Sequence, residues 1–242
     1  MAVEQIDGYI LYSVFKAGAK AVFHQSENLN RINVFPVADG DTGTNLSLTL
    51  KSIMDGTKCN ASIKETLASI ADSAFMNAQG NVGIIFAQYL LGLNLEMPDC
   101  KSIGTKGLAL IAQNAVKHVY NAMLNPVEGT ILTVIKDWAD SLVRNSLQTD
   151  DFIELANQAL LDAQTSLANT PLLLPVLAEN GVLDSGAQGF VYFLEGVRDF
   201  VSNGCIESDI EKGALPQILC LISPLPIKKR NCRNTGIVRS VF

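Results

Sequence analysis

Histidine is scarce in this sequence: two residues, His24 and His118, in 242, with aromatic side chains at only 7%. The five cysteines (Cys59, Cys100, Cys205, Cys220, Cys232) are odd in number, widely spaced and form no C-x-x-C pair. That pattern argues against a disulfide scaffold or a structural zinc centre and leaves the thiols as small buried hydrophobes. No apolar run approaches the ~20 residues of a membrane span. The opening Met1-Ala2-Val3-Glu4-Gln5 also lacks the basic-then-apolar order of a secretory signal, so a cytoplasmic protein is expected. Positive charge is short as well. Five of the 18 basic residues fall in the stretch Pro226 to Phe242, leaving thirteen against 24 acidic ones in the rest of the chain, a balance of −11. So acidic a body lacks the electrostatic footprint of a nucleic-acid binder.

Hydrophobic residues are plentiful, at 48%, and recur at three- and four-residue spacing. Eight helical segments follow: Ile6 to Phe23, Thr44 to Met54, Ile63 to Met76, Gly83 to Leu95, Gly104 to Met123, Ile131 to Leu142, Phe152 to Leu167 and Gln188 to Val201. The strand-like run Ile32 to Val37 is interrupted by Pro36. An all-α, up-and-down bundle without a sizeable sheet is expected, forming one domain over residues 1–203. Residues 204–242 lose the helical pattern, gain Pro216, Pro224 and Pro226, and read as an irregular tail.

Four polar, glycine-bearing segments interrupt the helices. In Asn33-Val-Phe-Pro-Val-Ala-Asp-Gly-Asp-Thr-Gly-Thr-Asn45, Asp39 and Asp41 flank a glycine, so both carboxylates can converge on one hard cation; Mg²⁺ is commonly held by one or two carboxylates plus phosphate oxygens. Gly43-Thr44-Asn45 opens a helix, whose free N–H groups and dipole favour phosphate. Spacing rules out an EF-hand loop, because Gly43 and Leu50 stand where oxygen ligands are required. Gln79-Gly-Asn-Val-Gly83, Asn125-Pro-Val-Glu-Gly-Thr-Ile-Leu-Thr133 and Asn180-Gly-Val-Leu-Asp-Ser-Gly-Ala-Gln-Gly189 also lead into apolar helices, with Thr130, Asp184 and Ser185 as N-cap residues. Each alone reads equally well as an ordinary helix boundary. Together they have the common form of loops that gather at one end of a bundle.

At these segments the sequence resembles the DhaL family, the ATP-binding domains of dihydroxyacetone kinases and their relatives. It is most similar to the N-terminal ATP-binding domain of the bacterial fatty acid kinase ATP-binding subunit. The shared motifs occur in the family's order between about residues 6 and 200. The resemblance implies an eight-helix barrel binding ATP and Mg²⁺ at one end. Asp39 and Asp41 would then be metal ligands, with Asn33 near a further ligand position. Thr44 and Asn45 would sit by the phosphates, which Gly80, Asn81, Val82 and Gly83 would line. Gly129, Thr130, Ile131, Leu132 and Asp184 would approach the nucleoside.

The resemblance also implies an acceptor held by another protein. Thr42 and the Asn33-Val-Phe-Pro-Val lead match the fatty acid kinase branch, whose acceptor is a fatty acid on a DegV-type carrier protein. The runner-up is a dihydroxyacetone-binding subunit, whose branch usually has His at the position of Thr42. A homodimer is left open. Two departures stand out. Val82 replaces the serine usual in Gly-Asn-Ser-Gly, and Gln79 replaces a frequent arginine, so nucleotide affinity or turnover is expected to be reduced. The family's fatty acid kinase subunit also continues through a middle and a carrier-recognition domain not found here. The run Asn234 to Ser240 is compatible, in a shifted frame, with a Tyr-Gly-Tyr-Cys-Thr-Glu stretch of the family. Residues 204–242 are therefore expected to be a truncated or frame-shifted remnant. A nucleotide-binding module without full turnover, and a purely structural helical domain, are the competing classes.

Overall fold

The structure, a computed structural model, describes residues 2–203; the expectations for the tail, and Cys205, Cys220 and Cys232 with it, lie outside the described residues. Eight helices of 15 to 18 residues build the molecule: α1 (Gly8–His24), α3 (Thr42–Gly56), α4 (Ile63–Asn77), α5 (Gly80–Glu96), α6 (Thr105–Ala122), α7 (Ile131–Ser146), α8 (Phe152–Ala168) and α11 (Ser185–Ser202). Each packs against its neighbours in chain order, and α11 closes the ring on both α8 and α1. At 1.5 Å rise per residue, the barrel wall is about 25 Å tall.

Direction alternates round the ring, because each long helix is joined to the next by one short excursion. The N-termini of α3, α5, α7 and α11 consequently lie at one end. The opposite end is stitched by the N-terminal segment. β1 (Ile6–Asp7) pairs antiparallel with β2 (Ser102–Ile103), Ile6 opposite Ile103, while the Gly8 N–H donates to the Ala61 carbonyl and the Phe152 N–H to that of Val3. Asp7 caps α1 through the Ile10 N–H. These two-residue strands are the only sheet among the described residues.

The sequence-expected helices all exist, with earlier starts at α3, α5 and α11. Three short helices were hidden inside the polar interruptions: α2 (Ser26–Arg31), α9 (Thr170–Leu173) and α10 (Pro175–Asn180). Pro171 and Pro175 sit in the first turns of α9 and α10, where a missing N–H costs nothing. A single turn or two carries too few apolar residues for a periodicity to register.

Burial follows the small-residue pattern. Ala19, Ala71, Ala74, Ala115, Ala139, Ala159, Ala163 and Ala187 are all fully or nearly fully buried, so helix backbones approach closely. α5, with Glu96 its one charged residue, is wrapped by α3, α4 and α6. Phe15, Phe86 and Phe193 meet in edge-on or tilted contacts, and Trp138 meets Phe190 edge-on at 5.5 Å. An apolar cavity of about 180 Å³ lies between the two halves of the core, walled by Leu67, Phe86, Trp138, Phe190 and Phe193 among others. Cys59 and Cys100, expected as buried thiols, are free and only half-buried. No helix among the described residues is long and apolar enough to cross a membrane.

The seam that closes the ring, α11 on α1, leaves no room for a side chain at Gly196. A Cβ on Gly196 would stand 2.5 Å from the Ala17 carbonyl oxygen, 2.8 Å from the Ala21 Cβ and 2.9 Å from the Gly18 Cα. Gly196→Ala is therefore expected to destabilise the protein by about 1–3 kcal/mol despite the better helix propensity of alanine. Urea unfolding followed by circular dichroism measures this; an unchanged midpoint would show that the α1–α11 seam relaxes freely.

Candidate nucleotide site

At the end where α3, α5, α7 and α11 begin, their first turns and the loops around them enclose a cavity of about 370 Å³. A helix N-terminus presents N–H groups and the positive end of a dipole, so those that no side chain caps favour an anion in the space they share. The four differ in a way that gives the cavity two sides. On α7 and α11 the first-turn donors are already taken. Thr130 accepts from the Leu132 N–H at 3.4 Å, and the Asp184 Oδ2 accepts from the Ala187 N–H at 2.8 Å and across to the Ile131 N–H at 3.1 Å. On α3 and α5 the cap residues, Asp41 and Gln79, place no side-chain oxygen on the first turn. Among the described residues, the first-turn donors without a side-chain cap are thus those of Thr42 and Gly43 on α3, where Asn30 takes the Thr44 N–H, and those of Gly80, Asn81 and Val82 on α5.

The same side holds the carboxylates. Asp39 and Asp41 are exposed and both line the cavity, on either side of Gly40, whose φ of 70° suits glycine. Asn33 is buried beneath them. Its amide donates to the Phe35 carbonyl at 3.4 Å and the Val37 carbonyl at 3.1 Å, and its Oδ1 accepts from the Asp41 N–H at 3.2 Å. Asn33, expected near a further ligand position, lines the cavity as well, and these hydrogen bonds make it the side chain that shapes the loop presenting Asp41. Among the described residues no group of three or more His, Cys, Asp or Glu side chains is placed to hold a metal ion. Two carboxylates do suit Mg²⁺ shared with phosphate oxygens, because this ion keeps its waters and needs few protein ligands.

Of the other expected site residues, Asn45, Gly80, Asn81, Val82, Thr130, Ile131, Leu132 and Asp184 line the cavity. Thr44, Gly83 and Gly129 do not. Thr44 turns outward, its hydroxyl and N–H both paired with the Asn30 side chain at 2.9 and 3.1 Å. A Cβ on Gly83 would lie 2.5 Å from the Thr49 hydroxyl, so Gly83 serves the packing of α5 on α3. Gly129, at φ 80°, lies under α9, where a Cβ would stand 2.9 Å from those of Leu173 and Leu174. Val82, which is 7% exposed, presents an apolar face and belongs to the core, in keeping with the missing hydroxyl.

Sequence reasoning missed Val37, Thr42, Ile85, Met123, Asn125 and Ser185 as wall residues. Thr42 and Ser185, 143 residues apart, join the first turns of α3 and α11 through a 3.1 Å hydroxyl pair. No local signal predicts a pairing over that distance. Asp184 is the electrically unusual group: only 5% exposed, its carboxyl is pushed up from the usual 3.8 to about 6 by burial, against the pull of the Ala187, Ile131 and Gly186 N–H groups.

An eight-helix ring with a polar, two-sided cavity at one end defines an architecture rather than a particular activity. The chain belongs to the DAK2 domain family, whose model matches residues 36–199. It is 39% identical over 196 residues to an uncharacterised protein of Staphylococcus saprophyticus, covering 80% of this chain and 36% of that protein. To uncharacterised proteins of Staphylococcus haemolyticus and Staphylococcus aureus it is 36% identical over 212 residues, covering 87% of this chain and 38% or 39% of theirs. The chain thus spans little more than a third of the length of these relatives. Its fold is that of a part of the dihydroxyacetone kinase from C. freundii. The native form matches with a TM-score of 0.57 at 14% identity, over 79% of this chain and 34% of that one. The structure of the same kinase in complex with AMP-PNP and Mg²⁺ matches with 0.56 at 13% identity, over 78% and 33%.

Proposed function

We propose that residues 1–203 are the ATP-binding domain of a kinase and donate the γ-phosphoryl group to an acceptor presented by a partner protein, a fatty acid held by a DegV-type carrier, giving an acyl phosphate. The observation that carries this reading is the division of the cavity. The uncapped first turns of α3, at Thr42, and of α5, at Gly80 to Val82, face the same space as Asp39 and Asp41, whereas the capped ends of α7 and α11 face it with Ile131 and Leu132. A polyanion with a bound divalent cation suits the first side and an uncharged nucleoside the second.

Mg²⁺, when bound through Asp39 and Asp41, supplies charge neutralisation for the phosphates and for the charge that develops in transfer. The chain's own residues supply position. Gly80, Asn81 and Val82 offer backbone at the phosphate side, Asn33 sets the Asp39–Asp41 loop, and the Thr42–Ser185 pair fixes α3 against α11. Phosphoryl transfer depends mainly on such positioning and electrostatics. The residues lining the cavity include no histidine. A carboxylate acceptor is already ionised at neutral pH and requires no base from this chain.

The test uses the full chain with MgATP and a purified, fatty-acid-loaded DegV-type carrier, trapping acyl phosphate with hydroxylamine. Hydroxamate formed only when all three are present is the expected result. Transfer to dihydroxyacetone on its binding subunit, with no hydroxamate, would move the chain to the other branch. MgATP binding without transfer to either would leave a nucleotide-binding module.

A further inference from the structure

The loop between α6 and α7 reaches the cavity with Met123, Asn125, Val127 and Thr130, yet its residues 124–128 are all exposed, and the Val127 carbonyl accepts the hydroxyl of Thr130, the cap of α7, at 2.7 Å. Glu128 is the side chain that ties the loop to both helices. The Glu128 Oε1 accepts the phenol of Tyr120, in the last turn of α6, at 3.0 Å, and its Oε2 accepts the hydroxyl of Thr133, in the first turn of α7, at 2.5 Å. Thr133 in turn accepts the Gly129 N–H at 2.9 Å, so carboxylate, hydroxyl and backbone form one closed chain. Burial, and then the neighbouring Glu128 carboxylate, push the Tyr120 phenol up, so it stays a donor. Nothing else fixes this wall to α6 by a side-chain hydrogen bond among the described residues.

We propose that Glu128 is a positioning residue for the nucleoside side of the cavity: by clasping Tyr120 and Thr133 it sets the loop whose Met123, Asn125 and Val127 form the wall against which a nucleobase packs. This rests on the nucleotide reading above. The clasp lies at the entrance to α7, whose N-terminus is capped by Thr130 and Asp184, and away from Asp39, Asp41 and the uncapped turns of α3 and α5. Its loss therefore falls on the nucleoside and spares the phosphates. Met123 and Val127 offer apolar surface to a base, and Asn125 offers an amide with both donor and acceptor. A triphosphate without a nucleoside has nothing to gain from that wall.

The experiment compares MgATP with magnesium tripolyphosphate by calorimetry on the full chain, using the native protein, Glu128→Ala, Glu128→Gln and Tyr120→Phe, each checked by thermal melting. Glu128→Ala is expected to weaken ATP about tenfold, the scale of an orienting contact one step removed from a bound group, and to leave tripolyphosphate within about twofold. Tyr120→Phe, which removes half of the clasp, is expected to fall between. Glu128→Gln, whose amide oxygen still accepts from Tyr120, is expected to recover most of the ATP affinity. Equal weakening of both ligands, or unchanged ATP binding by Glu128→Ala, overturns the clasp while the nucleotide reading stands. Failure of the native chain to bind either ligand overturns the nucleotide reading and the clasp with it.

Discussion

Asp41→Ala is expected to remove Mg²⁺-dependent ATP binding, weakening it by about 100-fold or more, the scale seen when one preorganised charge-stabilising group is lost from such a site. Asp39 and Asp41 are the exposed carboxylates at the cavity wall, Asp184 being buried and engaged with the Ile131 and Ala187 N–H groups, so losing Asp41 leaves a divalent ion a single charged ligand on that loop. The fold should survive, because Asp41 is exposed and its side chain makes no cap hydrogen bond to α3; exposed substitutions of this kind change stability by about 0.5 kcal/mol or less. Calorimetric titration of ATP with and without Mg²⁺, alongside circular dichroism, makes the measurement. Tight MgATP binding by the alanine variant would refute the assignment of the Asp39–Asp41 loop. Asn33→Ala is the informative control: it deletes three loop hydrogen bonds from a buried position, so it should lower affinity and stability together.

Asp184→Ala has the largest expected effect on stability, a loss of about 2–4 kcal/mol, since it strands the buried N–H groups of Ile131 and Ala187 and removes the cap of α11. Asp184→Asn keeps an accepting oxygen and removes the buried charge. The native state, with this carboxyl raised from 3.8 to about 6, binds the proton more tightly than the unfolded chain does. Its contribution to stability is therefore greatest at low pH and is lost as pH rises through about 4 to 6. Relative to wild type, Asp184→Asn should gain stability on going from pH 4 to pH 7. Denaturant unfolding of both proteins across this range tests it, and parallel pH profiles would show that the carboxylate is well solvated.

How much of this was legible in the sequence depended on how local the cause was. The eight long helices were, because each buries a stripe repeated over four or five turns. Their starts were less so: α3 begins at Thr42 and α5 at Gly80, two and three residues before the apolar pattern, because glycine and small polar residues that open a helix carry no hydrophobic signal. Thr130 and Asp184 were readable as caps. That Asp184 caps two helices at once was not, since Ile131 lies 53 residues away along the chain.

The site residues divide in the same way. Asp39 and Asp41 were found because a two-residue carboxylate spacing is a local chemical pattern. Thr44, Gly83 and Gly129 belonged to the right loops, but neighbours on other elements turned them to packing: Asn30 for Thr44, Thr49 for Gly83, and Leu173 with Leu174 for Gly129. That Asn33 also anchors the loop, through the Phe35 and Val37 carbonyls and the Asp41 N–H, was not visible in the spacing.

By itself, then, the sequence determined the helical class, the number of long helices, the four loops that matter and the carboxylate pair, because periodicity, capping and short spacing act within a few residues. Only the tertiary structure decided that the four loops share one end, that the cap residues of α3 and α5 leave first-turn N–H groups uncapped while Asp184 and Thr130 take those of α7 and α11, and that Glu128 clasps the wall between α6 and α7. Those outcomes depend on which side chains meet across the ring, and a linear pattern does not encode meetings between residues 50 or 140 positions apart.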